Sequence, residues 1–176
     1  DLDYVDLLLI HAPSRSVPIH ETIGAMNELQ DQGTVNHIGV SNFSPDQCRE
    51  AMEASSTTIL TNQIKYNPFN TQNEQLEFCV ERNVILTAHT PLARTRVKKN
   101  RTIREIGKKY GKSPHQVTLR WLIQQPMVCA IPKSQQPDHQ KQNLDIFDFE
   151  LDDDDMERMF SEHGGIADTL KSFIGM

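Results

Sequence analysis

The sequence predicts an α/β protein built on a parallel sheet, on three observations. Short apolar runs recur five times, and each is followed by a longer stretch whose apolar residues fall at helical spacing. The runs themselves are nearly continuous in apolar residues, as in strands buried on both faces. Repeated strand–helix units of this kind make parallel neighbours.

The first strand is 5–10, Val-Asp-Leu-Leu-Leu-Ile, bounded by Pro13 and expected to be buried. Residues 19–32 carry Ile23, Met26 and Leu29 on one helical face, and Gly33 supplies the stop. A second strand lies at 37–40. Ser44 then caps a helix with Pro45 in its first position. Residues 59–63 form a third strand, 73–82 a helix and 84–88 a fourth strand. After a loop come helices at 102–110 and 113–124, separated by Gly111 and Ser113-Pro114, and a fifth strand at 128–131. A short helix at 138–144, another at 151–162 and a last one after Gly164-Gly165 complete the expected elements. No Pro-, Gly- or Ser-rich linker divides residues 1–176, so a single domain is expected.

Composition bounds the function. A net charge of -6 disfavours a general nucleic-acid binder, while a local phosphate site needs only one or two cations and some N–H groups. No apolar run approaches the roughly 20 residues of a membrane span. Cys48, Cys79 and Cys129 are odd in number and far apart, which favours reduced, mostly buried thiols in a cytoplasmic setting. The acidic residues 152–155 read as the first turn of a helix, suited to its dipole, rather than as a metal site. The basic run 94–101 reads as a solvated loop, with folding over a cofactor pyrophosphate as the alternative.

Periodicity does not choose between a doubly wound sheet and part of a barrel; the strand ends do. In α/β folds the C-terminal ends of parallel strands gather the active site. Here they carry His11, Ser41-Asn42, Asn62-Gln63, His89-Thr90 and Lys133-Ser134. The run from Leu2 through Asp3-Tyr4 to His11 resembles the histidine-bearing strand of the aldo-keto reductases. Gly39-Val40-Ser41-Asn42-Phe43, Asn62-Gln63 with Tyr66-Asn67-Pro68-Phe69, Thr90-Pro91-Leu92 and Ile131-Pro132-Lys133-Ser134 are similar to later family motifs, in family order. The resemblance is strongest over residues 1–159 and implies a partial TIM (β/α)8-type barrel, about five parallel βα units plus C-terminal helices.

The resemblance also implies NAD(P)H-dependent reduction of a small aldehyde or ketone. Ser41, Asn42 and Gln63 would hydrogen-bond the nicotinamide carboxamide, which needs both donors and acceptors. His89, Thr90 and Leu92 would lie along the cofactor, Lys133 and Ser134 would contact the 2′-phosphate of NADPH, and Asn143 would bind adenine. His11 would orient the substrate carbonyl.

The sequence departs from the family at several points. Ala12 replaces a bulky pocket residue, and His89-Thr90 stand where a stacking Tyr is usual. His139 falls where an Arg normally grips the 2′-phosphate, so NADPH preference is expected to be pH-dependent and NADH use is open. The family's general-acid Tyr, with its Lys and Asp, precedes the histidine strand, and none of Tyr4, Tyr66 and Tyr110 matches it. The sequence therefore reads as a fragment or degenerate copy. An inactive NADPH-binding module, and an interaction subunit completing another barrel through exposed sheet edges or by self-association, are the competing readings.

Overall fold

The computed structural model of the chain describes residues 2–162. Its elements run β1 (Val5–Ile10), α1 (Ile19–Asp31), β2 (Val35–Ser41), α2 (Pro45–Ala54), β3 (Ile59–Lys65), α3 (Asn73–Arg82) and β4 (Ile85–His89). They continue with α4 (Arg96–Lys99), α5 (Arg101–Tyr110), α6 (Pro114–Ile123), β5 (Val128–Ala130), α7 (Pro137–Leu144) and α8 (Asp153–Ser161). The strands form one parallel sheet in the order β1-β2-β3-β4-β5. No helix among the described residues is long and apolar enough to cross a membrane. The helix expected after Gly164-Gly165 lies outside the described residues.

Two expectations need correction. β1 is not buried: Val5 is 39% and Leu7 40% exposed, because β1 ends the strand order with β2 as its one neighbour. Apolar content identifies a strand but does not say what covers it. The basic run 94–101 is also not all loop. It contains α4 and the first residue of α5, whose N-cap Asn100 accepts from the Ile103 N–H at 2.9 Å.

The chain divides into two compact units, the first comprising Asp1–Ile64 and Glu74–Thr87, the second Lys65–Asn73 and Ala88–Met176. In the first, α1 buries Ile19, Ile23 and Met26, and α2 is fixed by a reciprocal Ser44–Gln47 capping box with Pro45 at its start. Ile38, Val40, Ile59 and Leu86 lie in its core. Gly39 is demanded by close approach: a Cβ there would stand 2.7 Å from Leu9 Cδ2 and 2.8 Å from the Thr61 carbonyl oxygen. Cys48 and Cys79 are buried here, and the Gln75 amide reaches both sulfurs. Burial pushes the Cys48 thiol up to about 12 and the Cys79 thiol up to about 11, so both are inert near neutrality. Cys129, in the second unit, is exposed.

The second unit packs around Trp121, which is fully buried, stacked on Tyr66 at 5.8 Å and tilted against Phe160 at 4.8 Å. The Tyr66 hydroxyl donates to Gln125 Oε1 at 2.6 Å, and Gln125 Nε2 donates to the Trp121 carbonyl. The acidic run does open α8, as its charge pattern predicts. Asp152 is the N-cap, and Asp155 turns inward, where Lys109 and Arg158 meet its carboxylate at 2.7 and 2.8 Å.

Candidate functional site

Parallel pairing brings the end of β1 beside that of β2, and β2 beside β3: Ile10 pairs with Val40, and Ser41 with Gln63. The next residue, Asn42, leaves the strand in the left-handed region at φ 60°, which Asn tolerates better than most side chains. That conformation ends β2 and sets up a compact polar cluster. The Asn42 side-chain amide donates to the His11 carbonyl at 2.9 Å and to Ser41 Oγ at 3.0 Å. Ser41 Oγ donates in turn to the Gln63 carbonyl at 2.7 Å, which also accepts from the Asn42 backbone N–H at 3.0 Å. Ser41 is buried and Gln63 half-buried, whereas the His11 side chain is exposed.

This network changes the division of labour among the residues the sequence singles out. The Ser41 proton and both side-chain donations of Asn42 are already committed within the cluster. The side-chain amide of Gln63 and the imidazole of His11 make no hydrogen bond to a described residue. A group offering both a donor and an acceptor therefore finds both functions open on Gln63, with Ser41 and Asn42 as its rigid frame. A nicotinamide carboxamide is such a group, and these residues fit it. Asn62, the other polar residue of this strand end, is fully buried and structural, donating to the Phe43 carbonyl at 2.9 Å and to Cys48 Sγ at 3.3 Å.

The remaining predicted residues belong to the second unit. His89 Nδ1 lies 3.0 Å from Thr90 Oγ1, and Thr90 holds φ 54° while its carbonyl accepts from Asn67 Nδ2. Leu92 is half-buried in the loop that follows. Lys133 is exposed on the segment leading into α7. The Ser134 hydroxyl accepts from the Gln136 N–H at 3.1 Å and donates to the Gln136 carbonyl, forming the turn that starts the helix. His139 and Asn143, four residues apart on α7, share a helix face. No residue of α7 is fully buried.

Two basic residues near His139 escape a residue-by-residue reading. His115, in the first turn of α6, has its pKa lowered, first by burial and then by the charges of Lys98 and His139. Lys98, His115 and His139 come from three separate helices, so no local spacing in the sequence announces them. Burial pushes the Tyr66 phenol far above its usual range and its proton is donated to Gln125. The Tyr110 hydroxyl accepts from the Asp152 N–H at 3.0 Å, and Tyr4 precedes β1.

The aldo/keto reductase family profile matches residues 1–161. A glyoxal reductase of Bacillus subtilis (strain 168) is 36% identical over 90% of this chain and 56% of its own length. A 9,11-endoperoxide prostaglandin H2 reductase of Trypanosoma cruzi (strain CL Brener) is 35% identical over 90% of this chain and 56% of its own. A variant of Gox0644, solved in complex with NADPH, superposes with a TM-score of 0.83 at 35% identity, covering 91% of this chain and 59% of that one. The chain thus spans little more than half the length of the relatives it matches. Its five parallel strands are those of the TIM-barrel fold of such neighbours. With strand ends in the family's order and a match over residues 1–161, the chain belongs to the aldo/keto reductase family.

Proposed function

We propose that the chain carries the cofactor-holding part of an NAD(P)H-dependent carbonyl reductase acting on small aldehydes or ketones. The observation that carries this reading is the strand-end cluster, in which Asn42 ties the His11 carbonyl to Ser41 and leaves the Gln63 amide open. A bound nicotinamide supplies hydride chemistry that no side chain provides. Gln63 would fix the carboxamide, and Ser41 and Asn42 would keep Gln63 and His11 in register. His11, with its imidazole unpaired, would orient the substrate carbonyl through an N–H donor. Lys133 and Ser134 would bind a 2′-phosphate, His139 would add charge in its protonated form, and Asn143 would meet the base. His89, Thr90 and Leu92 would contact the cofactor from the loop after β4. A solved neighbour holding NADPH supports the choice of cofactor.

In this reading the proton for the product alcohol does not come from Tyr66 or Tyr110, whose hydroxyls are engaged in packing and capping contacts. This reading therefore assigns cofactor binding and carbonyl orientation, rather than proton supply, to the residues described. The buried, reduced thiols of Cys48 and Cys79 fit a cytoplasmic setting. The open β1 edge, with Val5 and Leu7 exposed, supports self-association by strand pairing, which light scattering over a concentration series would detect. The test of the functional reading is NADPH titration followed by a carbonyl-reduction assay. Saturable binding with low or absent turnover is expected, any turnover should vanish in His11→Ala, and failure to bind either dinucleotide would end the reading.

A further inference from the structure

Within the second unit, α7 lies against α6 with little apolar contact to hold it there. None of its residues is buried, and its one leucine, Leu144, is 71% exposed. Helices are ordinarily held by an apolar face, so α7 needs another anchor. His139 is not one, since its charge and that of Lys98 oppose protonation of His115 on α6. At the start of α7, Gln140 Nε2 donates to the Ser134 carbonyl at 2.9 Å, a contact within the same turn. The ties to α6 gather at the other end, on the C-cap Asp145.

The Asp145 carbonyl accepts from Gln116 Nε2 at 2.8 Å. Its carboxylate accepts from the same nitrogen at 2.9 Å and from Lys112 Nζ at 3.1 Å. Asp145 is in turn joined to α7 by its own N–H, which donates to the Lys141 carbonyl at 3.1 Å. Both donors are fixed from their own side. Gln116 is 6% exposed, and its Oε1 accepts from the Ser113 N–H in the capping box of α6, so the amide cannot turn away. Lys112 follows Gly111, whose left-handed φ of 65° closes α5, and the Lys112 N–H donates to the Gly107 carbonyl at 2.8 Å. Its ammonium also meets Asp148 at 2.7 Å and lies over the Phe149 ring. An exposed ion pair alone contributes little, but loss of Asp145 as acceptor would leave the buried Gln116 amide unpaired.

We propose that Lys112 and Gln116 are positioning residues for the adenosine end of the dinucleotide. By holding Asp145 they set the place of α7, and with it the helix face that carries His139 and Asn143. This rests on the proposal that α7 contacts the dinucleotide. Asn143 lies two residues before Asp145, so a shift at the C-cap carries directly to the residue that would meet the base. Lys133 precedes the helix and is reached less.

The experiment applies two readouts to the intact chain, Lys112→Met, Lys112→Arg and Gln116→Glu. One is amide hydrogen exchange at residues 140–145, the other titration with adenosine 2′,5′-bisphosphate. Lys112→Met keeps the stem over Phe149 and removes the donor, while Gln116→Glu keeps the capping oxygen and removes the amide N–H. In both, exchange at 140–145 should rise about tenfold while α5 stays protected. The bisphosphate should bind about fivefold more weakly in both, and Lys112→Arg should keep most of its affinity. In an Asn143→Ala background the Lys112→Met penalty on binding should shrink, because the two residues act through one contact. Unchanged exchange, or an equal penalty in both backgrounds, would overturn the proposal. If Gln116→Glu does not fold, the Lys112 variants decide alone. If the bisphosphate does not bind the unaltered chain, the dinucleotide reading of α7 fails, while exchange in Lys112→Met still decides whether Lys112 holds the helix.

Discussion

The two groups of residues proposed to hold a dinucleotide, one in each unit, are built on opposite principles. In the first unit, the Ser41 and Asn42 side chains at the end of β2 are tied to each other and to the backbone carbonyls of His11 and Gln63 over 2.7–3.0 Å. In the second, Lys133 and His139 are exposed, and the α7 helix has no fully buried residue. The first arrangement is pre-organised and loses little entropy on binding; the second relies on charge and must order its side chains when a phosphate arrives. Recognition of the nicotinamide should thus be rigid and coupled to stability. Recognition of the phosphate should be soft, screened by salt and separable from folding.

Substitutions can break this contrast, beginning with Gly39→Ala. The added Cβ meets Leu9 and the Thr61 carbonyl inside 3 Å, so a loss of ~1–3 kcal/mol in urea denaturation is expected, with loss of dinucleotide binding. Ser41→Ala comes next. It removes a partner from both the Gln63 carbonyl and the Asn42 amide, should cost about 1–2 kcal/mol, and should weaken NADPH and NADH alike. Lys133→Ala should leave the urea midpoint unchanged to within about 0.5 kcal/mol while weakening NADPH several-fold and NADH hardly at all. Raising the salt should erase that difference. A fall in stability for Lys133→Ala, or a selective NADPH effect for Ser41→Ala, would break the contrast.

The smallest effect concerns His115. Its folded pKa lies below the ordinary 6.5 because burial and nearby cations oppose its charge. Between the lowered value and 6.5 the unfolded chain binds more protons, so stability is fully present above 6.5 and declines as the pH falls through that window. His115→Gln should flatten this part of a plot of thermal midpoint against pH. A slope unchanged by the substitution would remove His115 from the account.

Much of this was legible in the sequence, for physical reasons that differ by element. Apolar periodicity and Ser-Pro starts located the helices well, as with α3 at Asn73–Arg82 and the capped α2 and α6. Strand-end order carried the family, because those side chains are constrained by both backbone and function. What escaped depends on contacts between distant segments. Exposure of β1 depends on its neighbours, the commitment of Ser41 and Asn42 within the cluster depends on the register of β2 against β3, and the inward turn of Asp155 depends on Lys109 and Arg158.

The most direct test of the cofactor reading is equilibrium titration of the intact chain and of Gln63→Ala with NADPH and NADH, alongside their thermal melts. Gln63 makes no side-chain hydrogen bond to a described residue, so its loss should leave the melt unchanged. Affinity for both dinucleotides should fall by the same factor, about tenfold for a lost pair of hydrogen bonds. Dinucleotide binding indifferent to Gln63→Ala, or no saturable binding by the unmodified chain, would contradict the account.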